Sequence, residues 1–409
     1  MKLPEIVTFA STQEQLRVAL SAGADHIVLE DSKLSLRSYS DDFSVPHFEK
    51  LIQLAETARE INPDVRLSFN ADILIHHEHF VRLDVLVPVL KRAGIRIVRV
   101  QDPGLISYFA DVFPEAEVHF SSETGNQNLE SIRFFRGQCR RQILSAEMPH
   151  TELAKVTAQI PGEFEIQVHG PLLIQYSRRR FQAGSQSHLG LLDEDPVGAI
   201  APRLAQDQEY PGRFFPVYDT PHGHLMYLYF DRYILPHLPK LMAIGLTAWL
   251  VDGRGESLDY LRAAVAAYKT EALRYSQNPS EWQLDMEVVS ALKSVARRPL
   301  KSGFFTANKT DFIVKGKQHQ LLREEGNTLG VVIDIVKNKW MTVELSAPIS
   351  NGQSLQIMTP EHHAIPYTVT QIHSLTNKVL EQADPPALVK LKWQKGVCTQ
   401  SLLIAPAVS

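Results

Sequence analysis

Residues 164–181 read FEIQVHGPLLIQYSRRRF, an apolar run that reaches His169 and Gly170 and passes into three consecutive arginines, Arg178, Arg179 and Arg180. An imidazole exchanges protons near neutral pH, and arginine forks match carboxylates and phosphates. The stretch therefore offers acid–base chemistry beside anion recognition. Side chains alternate along a strand. Ile166 and Val168 form the apolar set, so Glu165, Gln167 and His169 are expected on the interior face, with His169 at the rim. The same alternation turns Ser68, Asn70, His119, Ser121, Ser145 and Glu147 inward on earlier runs, and it puts Asp252, Gly253 and Arg254 just past the last one. His169, Glu147 and Asp252 are then the acid–base candidates. Asn70, Ser121, Glu165, Arg178, Arg179, Arg180 and Arg254 are the candidate substrate contacts. The same residues would also suit an interior filled by hydrogen-bonded pairs, and an arginine loop paired with the acidic LLDEDP segment.

Other chemistry finds less footing. Two histidine clusters, HHEH at 76–79 and HGH at 222–224, fall in loops, but H-E-x-x-H is absent and no metal site is expected. Ser177 lacks the G-x-S-x-G setting of a hydrolase nucleophile. The two cysteines, Cys139 and Cys398, are far apart and form no C-x-x-C pair, so neither a disulfide nor a thiol redox site is expected. A net charge of −4 gives no global attraction to nucleic acid or membrane, so any basic surface must be local. No apolar run is long enough to span a bilayer, and the opening MKLPEIVTFA lacks the apolar core of a secretory signal. A reducing, cytoplasmic setting is the expectation.

The elements that must carry these groups alternate. Short apolar runs at 6–10, 26–29, 66–71, 95–100, 117–121, 142–145, 165–169 and 247–251 are separated by amphipathic stretches at 12–22, 45–61, 80–93, 103–113, 129–135 and 151–160. Alternation at this spacing predicts parallel βα units, and eight runs predict an α/β fold of the (β/α)8 TIM-like barrel type, with ligands at the carboxyl ends of the strands. A doubly wound sheet is the alternative, but Ala10-Ser11-Thr12 stands where its glycine-rich loop would be. The predicted organisation is a barrel over 1–272 with an insertion at about 171–240, a helical bridge over 273–299, and a small β-barrel over 300–409. The insertion contains a hairpin around Asp219–Gly223, and Asn351-Gly352 marks a turn in the last domain.

Several blocks, in this order, resemble the collagenase-like peptidases, unknown-type peptidase family thirty-two: PEIVTFASTQEQLRVALSAGADHIVLE, LSLRSYSDDFS, QDPGLISYFADVFPEAEVHFSSETGNQN, EFEIQVHGPLLIQYSRRRF and RRPLKSGFF. The resemblance covers nearly the whole chain and implies the same barrel. It implies three activities: peptidases, factors that hydroxylate pyrimidines in tRNA or ribosomal RNA with prephenate as a required metabolite, and oxygen-independent hydroxylation in ubiquinone synthesis. Glu165, Val168, His169 and Gly170 match the first part of the family signature, and Tyr176, Ser177 and Arg179 the second. Arg178 and Arg180 stand where that signature has glycine and cysteine. Family cysteines here and in the insertion hold an iron–sulfur cluster. This chain has none between Gly170 and Pro299, so no cluster is expected. Glu30-Asp31 and Ala146 are further departures, whereas Arg37, Asn70, Asp102-Pro103-Gly104 and Asp252-Gly253-Arg254 are kept. Arg37 and Tyr176 thereby join the candidate substrate contacts.

The resulting expectation is an RNA-modification protein related to prephenate-dependent tRNA uridine 5-hydroxylation, without a cluster, with tRNA and a paralogous family member as partners. Lys337, Lys339, Lys390, Lys392 and Lys395, near Trp340 and Trp393, suit backbone contact and base stacking, and equally an ordinary solvated sheet. A peptidase and a non-catalytic binding subunit remain the alternatives.

Overall fold

The apolar runs become strands whose alternate side chains face two different cores. In the computed structural model the described residues are 3–37, 48–121, 128–179, 203–206, 213–306, 328–359, 363–399 and 401–405. The chain forms two compact units, Met1–Asn308 and Lys309–Ser409.

In the first unit the strands are β1 (Glu5–Phe9), β2 (His26–Glu30), β3 (Arg66–Ala71), β4 (Ile97–Val100), β5 (Glu117–Ser121), β6 (Arg141–Leu144) and β7 (Glu163–Ser177). Then come β8 (Arg203–Gln206), β9 (Phe214–Thr220), β10 (Gly223–Tyr233), β11 (Ala248–Val251) and β12 (Leu300–Lys301). β1 to β7 pair in parallel in chain order, and β11 pairs in parallel with both β7 and β1. That double pairing closes an eight-stranded barrel.

The helices are α1 (Gln13–Ser21), α2 (Phe48–Ile61), α3 (Phe80–Arg92), α4 (Pro103–Val112), α5 (Leu129–Phe135), α6 (His150–Gln159), α7 (Leu238–Ile244), α8 (Leu258–Gln277) and α9 (Met286–Val295). Their starts follow from capping side chains that accept from otherwise unpaired amides. Thr12 caps α1, Asp102 with Pro103 behind it caps α4, Asn128 caps α5 and Ser257 caps α8. Outward strand residues such as Ile27, Phe69, Val98, Phe120, Ile166 and Trp249 are buried against helix residues such as Leu16, Leu54, Leu86, Phe109 and Val265. Each such side chain contributes about 1.5–3 kcal/mol by leaving water. The stretch read as a bridge includes the end of α8 and all of α9, and β12 pairs with β10 at Asp231 and Arg232, so the structure groups it with the barrel.

β7 departs from the sequence reading. The strand does not end at Gly170. It runs on to Ser177, its first part inside the barrel and its last part paired antiparallel with β10. β10 turns back on β9 at Thr220–Gly223, where the sequence places a hairpin, and β9 pairs with β8. Gly170 sits at the junction with φ +103°, and a Cβ there would collide with the carbonyl oxygen of Asp252. Only glycine allows β7 to pass that close to the end of β11.

The second unit holds β13 (Thr328–Val336), β14 (Trp340–Leu345), β15 (Ile349–Ser350), β16 (Ser354–Met358), β17 (Ala364–Thr368), β18 (Ile372–Ser374), β19 (Val379–Leu380), β20 (Gln382–Ala383), β21 (Ala387–Lys392) and β22 (Leu402–Ile404). Eight of them form an antiparallel sheet in the order β17-β16-β22-β13-β14-β21-β18-β19. Val332, Met341, Val343, Ile357, Leu391 and Leu403 are its buried core.

Gly170→Ala is expected to destabilise the protein by about 2 kcal/mol or more, since strain adds to collision. Gly352 also has a positive φ, +83°, but open space around it. Gly352→Ala is therefore expected to cost less. Urea unfolding midpoints of the two variants check this; equal losses would show that the approach to Asp252 is not tight.

Candidate functional site

Strand ends deliver a cluster of charged groups to the carboxyl-end mouth of the barrel. Glu30, the last residue of β2, lies beside Asn70 of β3 in register. Its Oε1 accepts from Ser35 Oγ at 2.6 Å, from Asn70 Nδ2 at 3.1 Å and from Arg254 Nη1 at 2.8 Å. Arg254 turns its other two nitrogens to Asp252, Nε to Oδ1 at 3.0 Å and Nη2 to Oδ2 at 2.7 Å, and its guanidinium lies 3.5 Å from the centre of the Phe9 ring. Arg37 approaches the same Asp252 at 3.5 Å and stands over the Tyr227 ring. Asp72 fixes the connecting loop by accepting from the Leu36 amide at 2.6 Å. Asp31 is held apart by Arg82.

Burial and mutual charge set the protonation of this cluster. Burial pushes Glu30 up from the ordinary carboxyl value. Arg254 opposes that, and the neighbouring Asp72 and Asp252 charges add to it. Burial also acts to raise Asp252, but Arg254 and Arg37 outweigh it and hold Asp252 below its usual value. Two carboxyls at one mouth are thus driven in opposite directions, which is the condition for a proton-carrying group beside a permanently charged one. The arrangement has the charge asymmetry that acid–base chemistry on a small polar molecule requires.

Of the candidates read from sequence, Arg37, Asn70, Asp252 and Arg254 come together here. Ser121 is buried at the end of β5. Tyr176 lies on the β7 extension, donates to the His222 carbonyl at 3.2 Å, and feels the Asp72 charge. Arg178 and Arg179 are exposed beyond it, and Arg180 lies outside the described residues. Glu147 is half-buried on the turn after β6, where its amide meets Ser145 Oγ, and no bond links it to Arg254 or Asp252.

Glu165 and His169 are placed elsewhere. Glu165 points inward, but deep in the barrel. Arg99 grips both its oxygens at 2.7 and 3.1 Å and Arg141 approaches at 3.5 Å. Burial alone would raise this carboxyl; the two arginines hold it at about 2. Arg141 also pairs with Glu5 and Glu163, so these groups form an internal ionic plug beneath the mouth. His169 does not reach the rim. The pairing of β7 with β11 slips by one residue between Gln167 and His169, aligning His169 with the outward-facing Val251. This bulge breaks the alternation on which the inward reading relied. The ring is fully buried among Tyr233, Tyr260 and Tyr268 on the helix side, and neither nitrogen has a hydrogen-bond partner. Burial lowers it to about 3. Of the histidine clusters, His222 Nε2 meets the Ser32 carbonyl at 2.6 Å and His224 meets Asp219 at 2.8 Å.

Sequence reading missed Glu30, Ser35, Asp72 and Tyr227 as site residues. The acidic pair that closes the run HIVLED was a usable signal for Glu30, since a carboxylate at a barrel strand's carboxyl end faces the site.

The cysteines do not fit a cluster. Cys139 is half-buried in the first unit, bonded to the Phe135 carbonyl, and burial pushes its thiol up to about 11; Cys398 belongs to the second unit. Cluster ligands are thiolates in sets, and this pair supplies none.

The fold is a (β/α)8 barrel with buried charged groups at the carboxyl ends of its strands, the end at which barrels of this class place their ligand sites. The family model for peptidase family U32 matches residues 11–189 and 208–314, and the chain belongs to that family. It is 22% identical over 425 residues to tRNA hydroxylation protein P1 of Bacillus subtilis, spanning 98% of this chain and 94% of that protein. It is 22% identical to tRNA hydroxylation protein P of Escherichia coli, spanning 88% and 86%. A collagenase of Porphyromonas gingivalis is 21% identical over 75% of this chain and 74% of its own length.

The histidine burial has a measurable consequence. His26, His119 and His169 are all lowered, by burial first. Below the ordinary histidine value the unfolded chain takes up protons that the folded chain refuses, so stability is complete above that value and falls as pH drops through the window toward 3. His169→Phe, which fills the same cage, is expected to remove about 2 kcal/mol of the loss seen at pH 5. It should cost less than about 1.5 kcal/mol at pH 7. Urea melts of both proteins at the two pH values test this, and an unchanged acid slope would refute the placement.

Proposed function

We propose that this protein serves tRNA hydroxylation, using the barrel mouth to bind a small carboxylate-bearing metabolite. The observation that carries the reading is the end-to-end likeness to the Bacillus subtilis tRNA hydroxylation protein P1, which runs through both units. The retained Arg37, Asn70, Asp252 and Arg254 support a metabolite site, because two guanidinium groups converge on one buried rim. Prephenate, a dicarboxylate, is the metabolite proposed. The acid–base role is assigned to the Glu30 and Asp252 pair, with Asn70 and Ser35 orienting Glu30. His169 and Glu147 take no part in it. The setting proposed is cytoplasmic, and no helix among the described residues is long and apolar enough to cross a membrane.

The second unit supports an RNA partner. The turn at 337–339 and the end of β21 lie at one end of the sheet, because Trp340 pairs with Lys392 and the Trp393 amide meets the Lys339 carbonyl. Lys339 and Lys390 stand over the Trp340 ring at 5.9 and 5.0 Å, with Lys337, Lys392 and Lys395 exposed nearby. Cations around an aromatic face suit a phosphate backbone with stacked bases. A paralogous partner is proposed on the ground that Bacillus subtilis has two such relatives, P1 and P2. A peptidase role finds less support: Ser35 is turned to the Glu30 carboxylate, and His169 is buried on the helix side.

The test is nucleoside mass spectrometry of tRNA from a strain lacking this protein and its paralogues. Loss of wobble-uridine hydroxylation, restored by the wild-type chain and not by Arg254→Ala, is expected; an unchanged signal overturns the reading. Lys390→Ala with Lys392→Ala should weaken tRNA binding and reduce the slope of log affinity against log salt by about 2. Anaerobically purified protein should show no visible band from a thiolate-held cluster; a brown preparation would contradict this.

A further inference from the structure

The mouth carries its own anion. Arg254 gives Nε–H and one Nη2–H to Asp252, so Nη1 is the nitrogen not turned to that carboxylate. Glu30 already sits on it at 2.8 Å. We propose that the Glu30 carboxylate is a built-in occupant of the ligand's carboxylate position on Arg254, and so determines specificity: a carboxylate-bearing molecule enters only by displacing or neutralising it. The inference rests on the reading of the mouth as a metabolite site and adds to it the residue that gates entry.

Three observations support it. The first is position. Glu30 ends β2, so its side chain leaves a fixed strand and its Oε1 is held by Ser35, Asn70 and Arg254 together. An oxygen accepting three bonds from three segments fills a built acceptor position. The second is charge. Glu30, Asp72 and Asp252 face Arg37 and Arg254, so with every group ionised the carboxylates outnumber the guanidinium groups. Asp31 and Arg82 cancel each other alongside. A further anion entering this cluster meets net repulsion unless a carboxylate gives up its charge. The third is burial. Glu30 and Arg254 side chains are 6% and 9% exposed, so water does little to screen that repulsion.

Proton linkage follows from the same groups. Glu30 faces Arg254 and Asp252 from the end of β11, Asp72 and Asn70 from the end of β3, and Ser35 from its own loop. Protonation removes the competing charge, so anion binding strengthens as pH falls, and ligand binding takes up a proton. Without Glu30 that dependence vanishes.

Calorimetric titration of the full chain with malonate and with succinate tests this, on wild type, Glu30→Gln and Glu30→Ala, with folding checked by circular dichroism. Glu30→Ala is expected to bind about tenfold more tightly than wild type at pH 8, the effect of removing one close like charge in a partly buried site. Glu30→Gln keeps the shape and the acceptor oxygen without the charge, and should fall between the two. Wild-type affinity should rise as pH falls from 8 toward about 6.5, a window in which both probes stay dianionic, while both variants stay flat. Equal or weaker binding by both variants, with Arg254→Gln still abolishing it, overturns the role of Glu30 and leaves the metabolite site standing. Binding that survives Arg254→Gln in the Glu30→Ala background, or no binding by any form at millimolar probe, overturns the site and the inference together.

Discussion

The His169 carbonyl accepts the Asp252 amide at 3.0 Å, and next to it the Gly170 backbone lies against the Asp252 carbonyl with no room for a Cβ. This backbone approach is where the last barrel strand is tied to the seventh. It does two things at once. It lies where the ring of hydrogen bonds closes, which leaves the eight barrel strands without a free edge among themselves. It also fixes the backbone of Asp252, whose carboxylate in turn aligns Arg254 and draws Arg37 to the same rim. The charged mouth is thus referenced to a main-chain contact, which is stiffer than any side-chain rotamer.

Below the mouth, a barrel of this kind is ordinarily filled by layers of branched apolar side chains. Here apolar filling is a small group, Val7, Phe9, Val28, Ala248 and Leu250, with Ile97 and Ile143 also inward on β4 and β6. Much of the rest is the plug in which Arg99 and Arg141 hold Glu165, joined by Glu5 and Glu163, with the His26 and His119 rings edge to face at 6.0 Å. Such a plug need not add net stability, because desolvating the charges offsets their attraction. What it imposes is geometry: removing one member leaves another buried and unpaired, so the set stands or falls together.

The barrel was legible because its signal is periodic. All eight apolar runs became barrel strands, and the amphipathic stretches that begin at 12, 103 and 129 became α1, α4 and α5. The face of each inward residue was mostly legible too, as at Asn70 and Glu165. Depth was not. In parallel register the row of neighbours runs Glu30, Asn70, Arg99, His119, Arg141, Glu163, from the carboxyl end of β2 to the start of β7. Strand tilt makes each row a spiral from mouth to base, so two inward carboxylates, Glu30 and Glu165, have unrelated surroundings. His169 failed for another reason: one inserted residue reverses the face, and no residue type in EIQVHG announces it. Glu30 and Asp72 act through partners far apart in sequence, which one-dimensional patterning does not report.

The extension of β7 beyond the barrel, paired with β10, leans from the seventh strand toward the loop after the second. His222 at its turn meets the Ser32 carbonyl, and Tyr227 on the returning strand lies under Arg37. The mouth therefore has a canopy that springs from outside the eight repeating units. The canopy contributes Tyr176 and Tyr227, while the ion-paired groups Glu30, Asp252 and Arg254 stay on the barrel. Lengthening or reshaping the canopy would alter what covers the rim without moving the ion pairs of Glu30, Asp252 and Arg254, so cover and charge can diverge separately along the chain.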